Sequence, residues 1–131
     1  MPKVKLAVDH IHLVSPDPEG TAAWYAGKFE AEIVKRSNVR GAQQVAVSFG
    51  DFLVIVRGER PDEKAADKDR LLWGVDHFGL AVPGDFDGFC DSLKKKNVAF
   101  SMDPANINPT TRIAFIKAPD GVSVELVSRN I

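Results

Sequence analysis

The sequence predicts an α+β fold made of two tandem modules, each containing a strand, a helix and three further strands (βαβββ). The main observation is an internal repeat: VDHIHLVSP at residues 8–16 recurs as VDHFGLAVP at residues 75–83. The offset is 67 residues, about half of the 131-residue chain. A second observation is that both copies are followed by a similar pattern of turn, amphipathic and alternating apolar segments, as expected for a duplicated unit.

The first module is predicted from its turns and its apolar periodicity. A Pro- and Gly-rich turn at residues 16–20 precedes a helix, and strands are predicted at residues 32–37, 43–49 and 52–56. Gly50 and Asp51 form the two-residue turn between the last two strands. The apolar positions of the helix recur at helical spacing: Ala22, Ala23, Tyr25, Ala26 and Phe29.

The second module repeats this order. A helix is predicted at residues 85–96, followed by strands at residues 98–102, 111–117 and 122–128. The sequence APDG at residues 118–121 places Pro and Gly where a tight turn prefers them, so it separates the last two strands.

The two modules are predicted to span residues 1–58 and 73–131, with a charged linker at residues 59–72. The linker has few large apolar residues, so we expect it to be solvated. Each module alone would have difficulty covering both faces of its sheet, so we expect the modules to form one compact unit.

Composition excludes several function classes. The chain is 44% hydrophobic and has a net charge of −1, so it can bury a core but has no overall field that attracts nucleic acid or an anionic membrane. No apolar run reaches the roughly 20 residues that span a bilayer, and the first residues have no signal-peptide pattern. The single Cys90 cannot form an internal disulfide. We therefore expect a soluble cytoplasmic protein.

Three histidines and one late glutamate are the candidate functional residues. His10 and His77 occupy matching positions of the repeat, and His12 shares a strand face with His10. Glu125 interrupts the apolar strand VSVELV, where an unpaired buried carboxylate would be costly. Two imidazoles and a carboxylate form a ligand set for a divalent metal. Spacing alone favours the other interpretation, in which the histidines are hydrogen-bonded core residues and Glu125 faces solvent.

The segments VDHIHLVSPD, VDHFGLAV and RIAFIKAPDGVSVELV resemble the vicinal oxygen chelate superfamily over nearly the whole chain. This superfamily includes glyoxalase I, methylmalonyl-CoA epimerase, extradiol dioxygenases, and the fosfomycin and bleomycin resistance proteins. The resemblance implies that two βαβββ modules form a cup-shaped mixed sheet around a metal, and that the chain is a homodimer. It also implies that His10, His77 and Glu125 are the metal ligands.

One position departs from the pattern of the glyoxalases and epimerases in this superfamily, whose first module ends in a strand with a polar residue that moves a proton. Ile55 aligns with Glu125 and can neither bind metal nor accept a proton. The chain therefore resembles the three-ligand members, which favours dioxygenase-like chemistry. His12 is a candidate acid or base that could replace the missing group, or a rim residue that only packs. Arg112 is a candidate for holding an anionic part of the substrate, although a plain surface role also suits it.

These observations predict a metal-dependent enzyme that chelates a small oxygenated substrate. We expect Fe²⁺ first, with Mn²⁺, Ni²⁺, Co²⁺ or Zn²⁺ also compatible with the ligand set. The alternatives are a lyase or isomerase that uses His12 as its base, and a metal-free drug-binding protein of the bleomycin-resistance type. Three polar ligands in an apolar cavity argue against the drug-binding alternative.

Overall fold

A computed structural model describes residues 4–67 and 71–129 of the chain. The chain divides into two compact units, residues 1–65 and 66–131, so the boundary falls inside the predicted linker. Residues 68–70 of that linker lie outside the described part.

The first unit has the predicted order of strand, helix and three strands. Its sheet has the strand order β1-β4-β3-β2, in which β1 is parallel to β4 and the other neighbours are antiparallel. Its elements are β1 (His10–Val14), α1 (Pro18–Phe29), β2 (Glu32–Val39), β3 (Ala42–Ser48) and β4 (Leu53–Arg57).

The second unit repeats this topology. Its sheet has the order β5-β8-β7-β6, again with the first and last strands parallel, so the prediction of two βαβββ modules is confirmed. Its elements are β5 (His77–Ala81), α2 (Phe86–Lys95), β6 (Phe100–Asn108), β7 (Thr111–Lys117), a short 3₁₀ turn (Pro119–Gly121) and β8 (Ser123–Arg129).

One face of each sheet forms the hydrophobic core. In the first unit α1 packs on β3 and β4, and its Tyr25 side chain is fully buried. Because side chains alternate along a strand, burying one face leaves the other available for polar residues. The buried strand residues are Val45, Val47, Val54 and Val56 in the first unit, and Ala114, Ile116, Val124 and Leu126 in the second.

Both helices begin at an aspartate that caps them. The carboxylate of Asp17 accepts a hydrogen bond from the Gly20 backbone N–H, and Asp85 accepts one from Gly88, each at 3.0 Å. Such a cap satisfies a backbone donor that has no partner inside the helix. The helices have 12 and 10 residues, and no helix in the described residues is long and apolar enough to cross a membrane.

Strand β6 is longer than predicted. The sequence predicted a strand at residues 98–102, whereas β6 continues to Asn108 and passes through Pro104. Proline lacks the N–H that a central strand would donate, but an edge strand tolerates it. The pairing of β6 with β7 is irregular between Met102 and Ala105, and this irregularity accommodates the proline.

Most described residues of the predicted linker are exposed, but Glu63 is held by hydrogen bonds. Glu63, which lies within it, receives hydrogen bonds from both terminal nitrogens of Arg57, at 2.5 and 3.1 Å. It also accepts one from the Arg60 backbone N–H at 2.9 Å. These bonds, led by those from Arg57, lower the pKa of Glu63 from its ordinary value of 4.5 to about 2. The charged residues after β4 therefore fold back on the end of that strand.

The Arg57–Glu63 pair makes the stability of the chain depend on pH. The pKa of Glu63 is lower in the folded state, so its contribution is complete above pH 4.5 and is lost as the pH falls toward 2. We expect the urea midpoint of Glu63→Gln to fall less steeply than that of the wild type between pH 6 and pH 3. A matched Glu59→Gln variant, at an exposed neighbouring position, should follow the wild type. Parallel curves for wild type and Glu63→Gln would contradict this pairing.

Candidate functional site

His77 and Glu125 are brought together by the parallel pairing of β5 with β8. In this register Gly79 is the neighbour of Glu125, and His77 is the neighbour of Ser123. The two polar side chains lie on the sheet face opposite the core, with His77 Nε2 3.0 Å from Glu125 Oε1. Both are partly buried, with 32% of the His77 side chain and 20% of the Glu125 side chain exposed. The structure thus brings these two residues into contact, and their role as metal ligands stays a prediction.

The other ring nitrogen of His77 is held by the residue before it. His77 Nδ1 lies 2.8 Å from Asp76 Oδ2, so a carboxylate faces each nitrogen of the ring. The hydrogen bond with Asp76, and secondarily the interaction with Glu125, raises the pKa of His77 against the opposing effect of burial. An imidazolium can donate to both carboxylates, and a cation between Nε2 and Glu125 would satisfy the same pair of atoms.

Apolar side chains surround this pair. The ring of Phe115 packs edge-on against the His77 ring, with centroids 4.9 Å apart, and Phe115 is the direct neighbour of Glu125 on β7. Ile113 and Val127, on the same face, are buried. An apolar environment strengthens electrostatic interactions of the carboxylate and limits access of water.

In the first unit, His10 has the same local arrangement as His77. His10 Nδ1 lies 2.7 Å from Asp9 Oδ2. The rings of His10 and His12 lie on one face with centroids 5.3 Å apart, in an edge-to-face orientation. Burial is the main cause that lowers the pKa of His12, and the nearby His10, Arg57 and Arg60 lower it further.

The strand register confirms that Ile55 and Glu125 are equivalent positions. Ile55 on β4 is the direct neighbour of His12 on β1, just as Glu125 on β8 is the direct neighbour of Gly79 on β5. Gln44 lies on the same sheet face as Ile55, since it is the neighbour of Arg57 on β4.

Arg112 is placed away from the His77–Glu125 pair. It is the neighbour of Ser128 on β8, and residues 128 and 125 lie on opposite faces of that strand. Its guanidinium donates to Asp87 at 3.0 Å and to Asn106 at 2.8 Å. Arg112 also lines an open pocket of about 410 Å³ that includes neither His77 nor Glu125. Arg112 therefore lies outside the candidate site.

Comparisons with known proteins agree with this architecture. The family model for the Glyoxalase/Bleomycin resistance protein/Dioxygenase superfamily matches residues 7–126. The chain belongs to this superfamily. No curated protein matches the chain.

Several solved structures of this superfamily's fold are similar to the chain. A glyoxylase/bleomycin resistance protein/dioxygenase domain from Frankia sp. EAN1pec is 19% identical with a TM-score of 0.79, covering 96% of this chain and 93% of that one. TnmS3, an antibiotic-binding protein from Streptomyces sp. CB03234, is 20% identical with a TM-score of 0.72, covering 98% and 99%. A glyoxalase I mutant from Zea mays is 21% identical with a TM-score of 0.71, covering 95% of this chain and 45% of that one.

The donor atoms suit the divalent metals that this superfamily often uses. Imidazole nitrogens and a carboxylate are standard ligands for such ions, and His77 Nε2 already lies beside Glu125 Oε1. His10 belongs to the first unit. Within residues 4–67 and 71–129, no group of three or more His, Cys, Asp or Glu side chains is gathered as a ready-made metal site.

Sequence reasoning missed the roles of Asp9, Asp76 and Phe115. A ligand histidine usually donates its second ring N–H to a carboxylate or carbonyl, which orients the ring and leaves the other nitrogen for the metal. The repeated VDH triplet was the available signal, because each aspartate immediately precedes its histidine. Phe115 could have been found from the alternation in TRIAFIK, which places it on the Glu125 face.

The position of Arg112 leads to a stability prediction. Arg112→Ala removes the ion pair with Asp87 on the surface of the second unit, so we expect the free energy of unfolding to fall by less than about 1 kcal/mol. A double-mutant cycle with Asp87→Ala, measured by urea unfolding, isolates the pair. Metal binding should be unchanged in Arg112→Ala, and a loss of metal would show that the residue acts in the site after all.

Proposed function

We propose that the chain is a divalent-metal-dependent enzyme that binds a small oxygenated substrate through two of its oxygens. The ion would be held by His10, His77 and Glu125. The observation that carries this proposal is the arrangement around His77: Asp76 occupies Nδ1, and Nε2 points at a carboxylate oxygen 3.0 Å away. His10 and Asp9 support it, because they reproduce the first half of that arrangement.

The side chains around the ion would have distinct tasks. Asp9 and Asp76 orient the two imidazoles and fix which ring nitrogen is available. Phe115, Ile113 and Val127 provide apolar walls beside the carboxylate. The ion, when bound, would supply a Lewis acid that polarises the substrate oxygens.

The reaction class depends on how many ligands the protein supplies. With three protein ligands, a six-coordinate ion keeps three positions, enough for a bidentate substrate and dioxygen, which favours dioxygenase-like chemistry with Fe²⁺. Participation of His12 as a base favours a lyase or isomerase instead. The specific observation in favour of this second candidate is the position of His12, on the same face as His10 with the rings 5.3 Å apart.

Metal content tests the proposal directly. Protein purified anaerobically without chelator should contain about one divalent ion per chain by mass spectrometry, and His10→Ala, His77→Ala and Glu125→Ala should each lose it because each lacks one ligand. Glu32→Ala, at an exposed position of β2, serves as the matched control and should retain the ion. Bound iron would favour oxygen chemistry over proton transfer.

The opposite result would favour a different class of protein. If the wild type takes up no ion, even after reconstitution with iron, manganese, nickel, cobalt and zinc, the proposal is wrong. A metal-free protein that binds a drug-like molecule would then be the better interpretation, in line with the similarity to the fold of an antibiotic-binding protein.

We also propose that the protein acts as a homodimer in the cytoplasm. The buried, unpaired Cys90 suits a reducing compartment. Apolar side chains at matching positions before β1 and β5 are strongly exposed, and a second copy would cover them. They are Val4, Leu6 and Val8 in the first unit, and Leu71, Trp73 and Val75 in the second.

Sedimentation velocity tests the dimer. The wild type should sediment as a dimer at micromolar concentration, and Leu6→Ser/Trp73→Ser should shift it toward the monomer because these substitutions remove exposed apolar surface. Val34→Ser changes an exposed apolar residue elsewhere, on β2, and should leave the dimer intact. A monomeric wild type would refute the dimer without affecting the metal proposal.

A further inference from the structure

Each module has an equivalent pair of neighbouring positions on its first and last strands, and the two modules place the polar residue of that pair on different strands. In the second unit the neighbouring pair is Gly79 on β5 and Glu125 on β8, so the polar group comes from the last strand. In the first unit the neighbouring pair is His12 on β1 and Ile55 on β4, so the polar group comes from the first strand. Each module thus has a histidine at the start of its first strand. Two residues further along, on the same face, it has one more donor, either on that strand or on its parallel neighbour.

The two positions of this pair are so close together that the polar side chain can come from either strand. A Cβ placed on Gly79 would meet the backbone oxygen and Cβ of Glu125 at 3.7 and 3.8 Å, so the two positions are in direct contact. Directly opposite residues on paired strands project to the same face, so a donor on either strand reaches the same region above the sheet. Ile55 has no donor atom, but its neighbour His12 on β1 does. The first module therefore still has a polar side chain at this pair of positions.

We propose that His12 is a metal ligand, the counterpart in the first module of Glu125 in the second. This inference rests on the proposed function, since it presupposes a metal bound through His10. It adds a fourth donor to the three of the proposed function.

The geometry of the two rings agrees with joint ligation. Two imidazoles that bind one ion through nitrogens about 2.0–2.1 Å away, at an angle of roughly 90° as in a six-coordinate ion or somewhat wider, have ring centres roughly 4.5 to 5 Å apart. The observed separation of the His10 and His12 centroids is 5.3 Å. Asp9 occupies Nδ1 of His10, and in the part of the chain that the structure describes no hydrogen bond engages the ring of His12.

A fourth donor changes what the ion can bind. A six-coordinate ion with four protein ligands keeps two positions, which a substrate binding through two oxygens would fill. No position would then remain for dioxygen. The proposed ligand set therefore shifts the expected reaction from oxygenation toward proton transfer or elimination on a chelated substrate.

The test uses metals alone as probes. We expect His12→Phe, which keeps a flat ring of similar size, to weaken Co²⁺ binding by about tenfold or more in calorimetry, at least the loss seen when a partner of a metal ligand is removed. In the EPR spectrum of the Cu²⁺ complex, the nitrogen couplings should report three imidazoles in the wild type and two in His12→Phe. Ile55→Ala is the matched control and should bind both ions like the wild type, because it removes a neighbouring side chain that has no donor atom.

A swap variant tests the equivalence of the two strands. His12→Gly/Ile55→Glu copies the second module's pattern into the first, so Co²⁺ affinity should recover relative to His12→Phe while Cu²⁺ still shows two imidazoles. Circular dichroism checks that each variant is folded, and His12→Gln provides a second replacement if His12→Phe is not.

The failures of the two proposals are distinguishable. If His12→Phe and His12→Gln bind Co²⁺ as tightly as the wild type and keep its imidazole count, while His10→Ala loses the ion, His12 is not a ligand and the three-ligand site stands. If the wild type binds neither Co²⁺ nor Cu²⁺ at this site, the proposed function is wrong and the role of His12 is wrong with it.

Discussion

Parallel pairing between the first and last strands of each module determines where the candidate site residues lie. These strands are distant in sequence, and His77 and Glu125 are separated by 48 positions, yet the register places their side chains 3.0 Å apart. In the first unit α1 packs on the other face of the sheet, and in both units apolar side chains of that face form the core. A polar residue on the first or last strand can therefore be tolerated on only one face. The same pairing that completes the sheet also concentrates the polar groups.

Partial burial of the Glu125 carboxylate is unfavourable, and the neighbouring groups of the site compensate for it. Glu125 lies between Phe115 on one side and Gly79 on the other, with Val127 two residues along the strand. Removing a carboxylate from water is unfavourable unless a cation or a set of donors replaces the water. His77 provides that compensation when it is protonated, and a metal ion would provide it when the ring is neutral. Asp76 supports both states, because it holds Nδ1 in either case.

Much of the fold was predictable because the repeat and the alternation of apolar residues are local signals. The strand at residues 111–117 was predicted with the bounds observed, whereas β6 was predicted too short because Pro104 normally argues against a strand and its edge position is a tertiary property. Glu63 appeared solvated because nothing in a charged segment indicates that it folds back on Arg57. In the site, the meeting of His77 with Glu125 followed from the resemblance. The hydrogen bond between His77 Nδ1 and the Asp76 carboxylate required coordinates, because neighbouring residues in a regular strand face opposite ways. Asp76 escapes that rule because it precedes β5.

Because the two modules have the same strand pairing, the donor side chain can lie on the first strand in one module and on the last strand in the other, with the same backbone arrangement. Because the two modules share one register, each pair of neighbouring positions on the first and last strands projects to the same face, so a donor at either position faces the same region. Gly79 with Glu125 and His12 with Ile55 are the two ways of filling such a pair, one donor and one residue without a donor in each. Replacing a carboxylate by an imidazole lowers the negative charge of the site by one, which would favour a substrate that brings its own anionic oxygens to the ion. Aligning sequences position by position compares Ile55 with Glu125 and finds a donor missing. Comparing the paired positions finds the donor retained on the neighbouring strand.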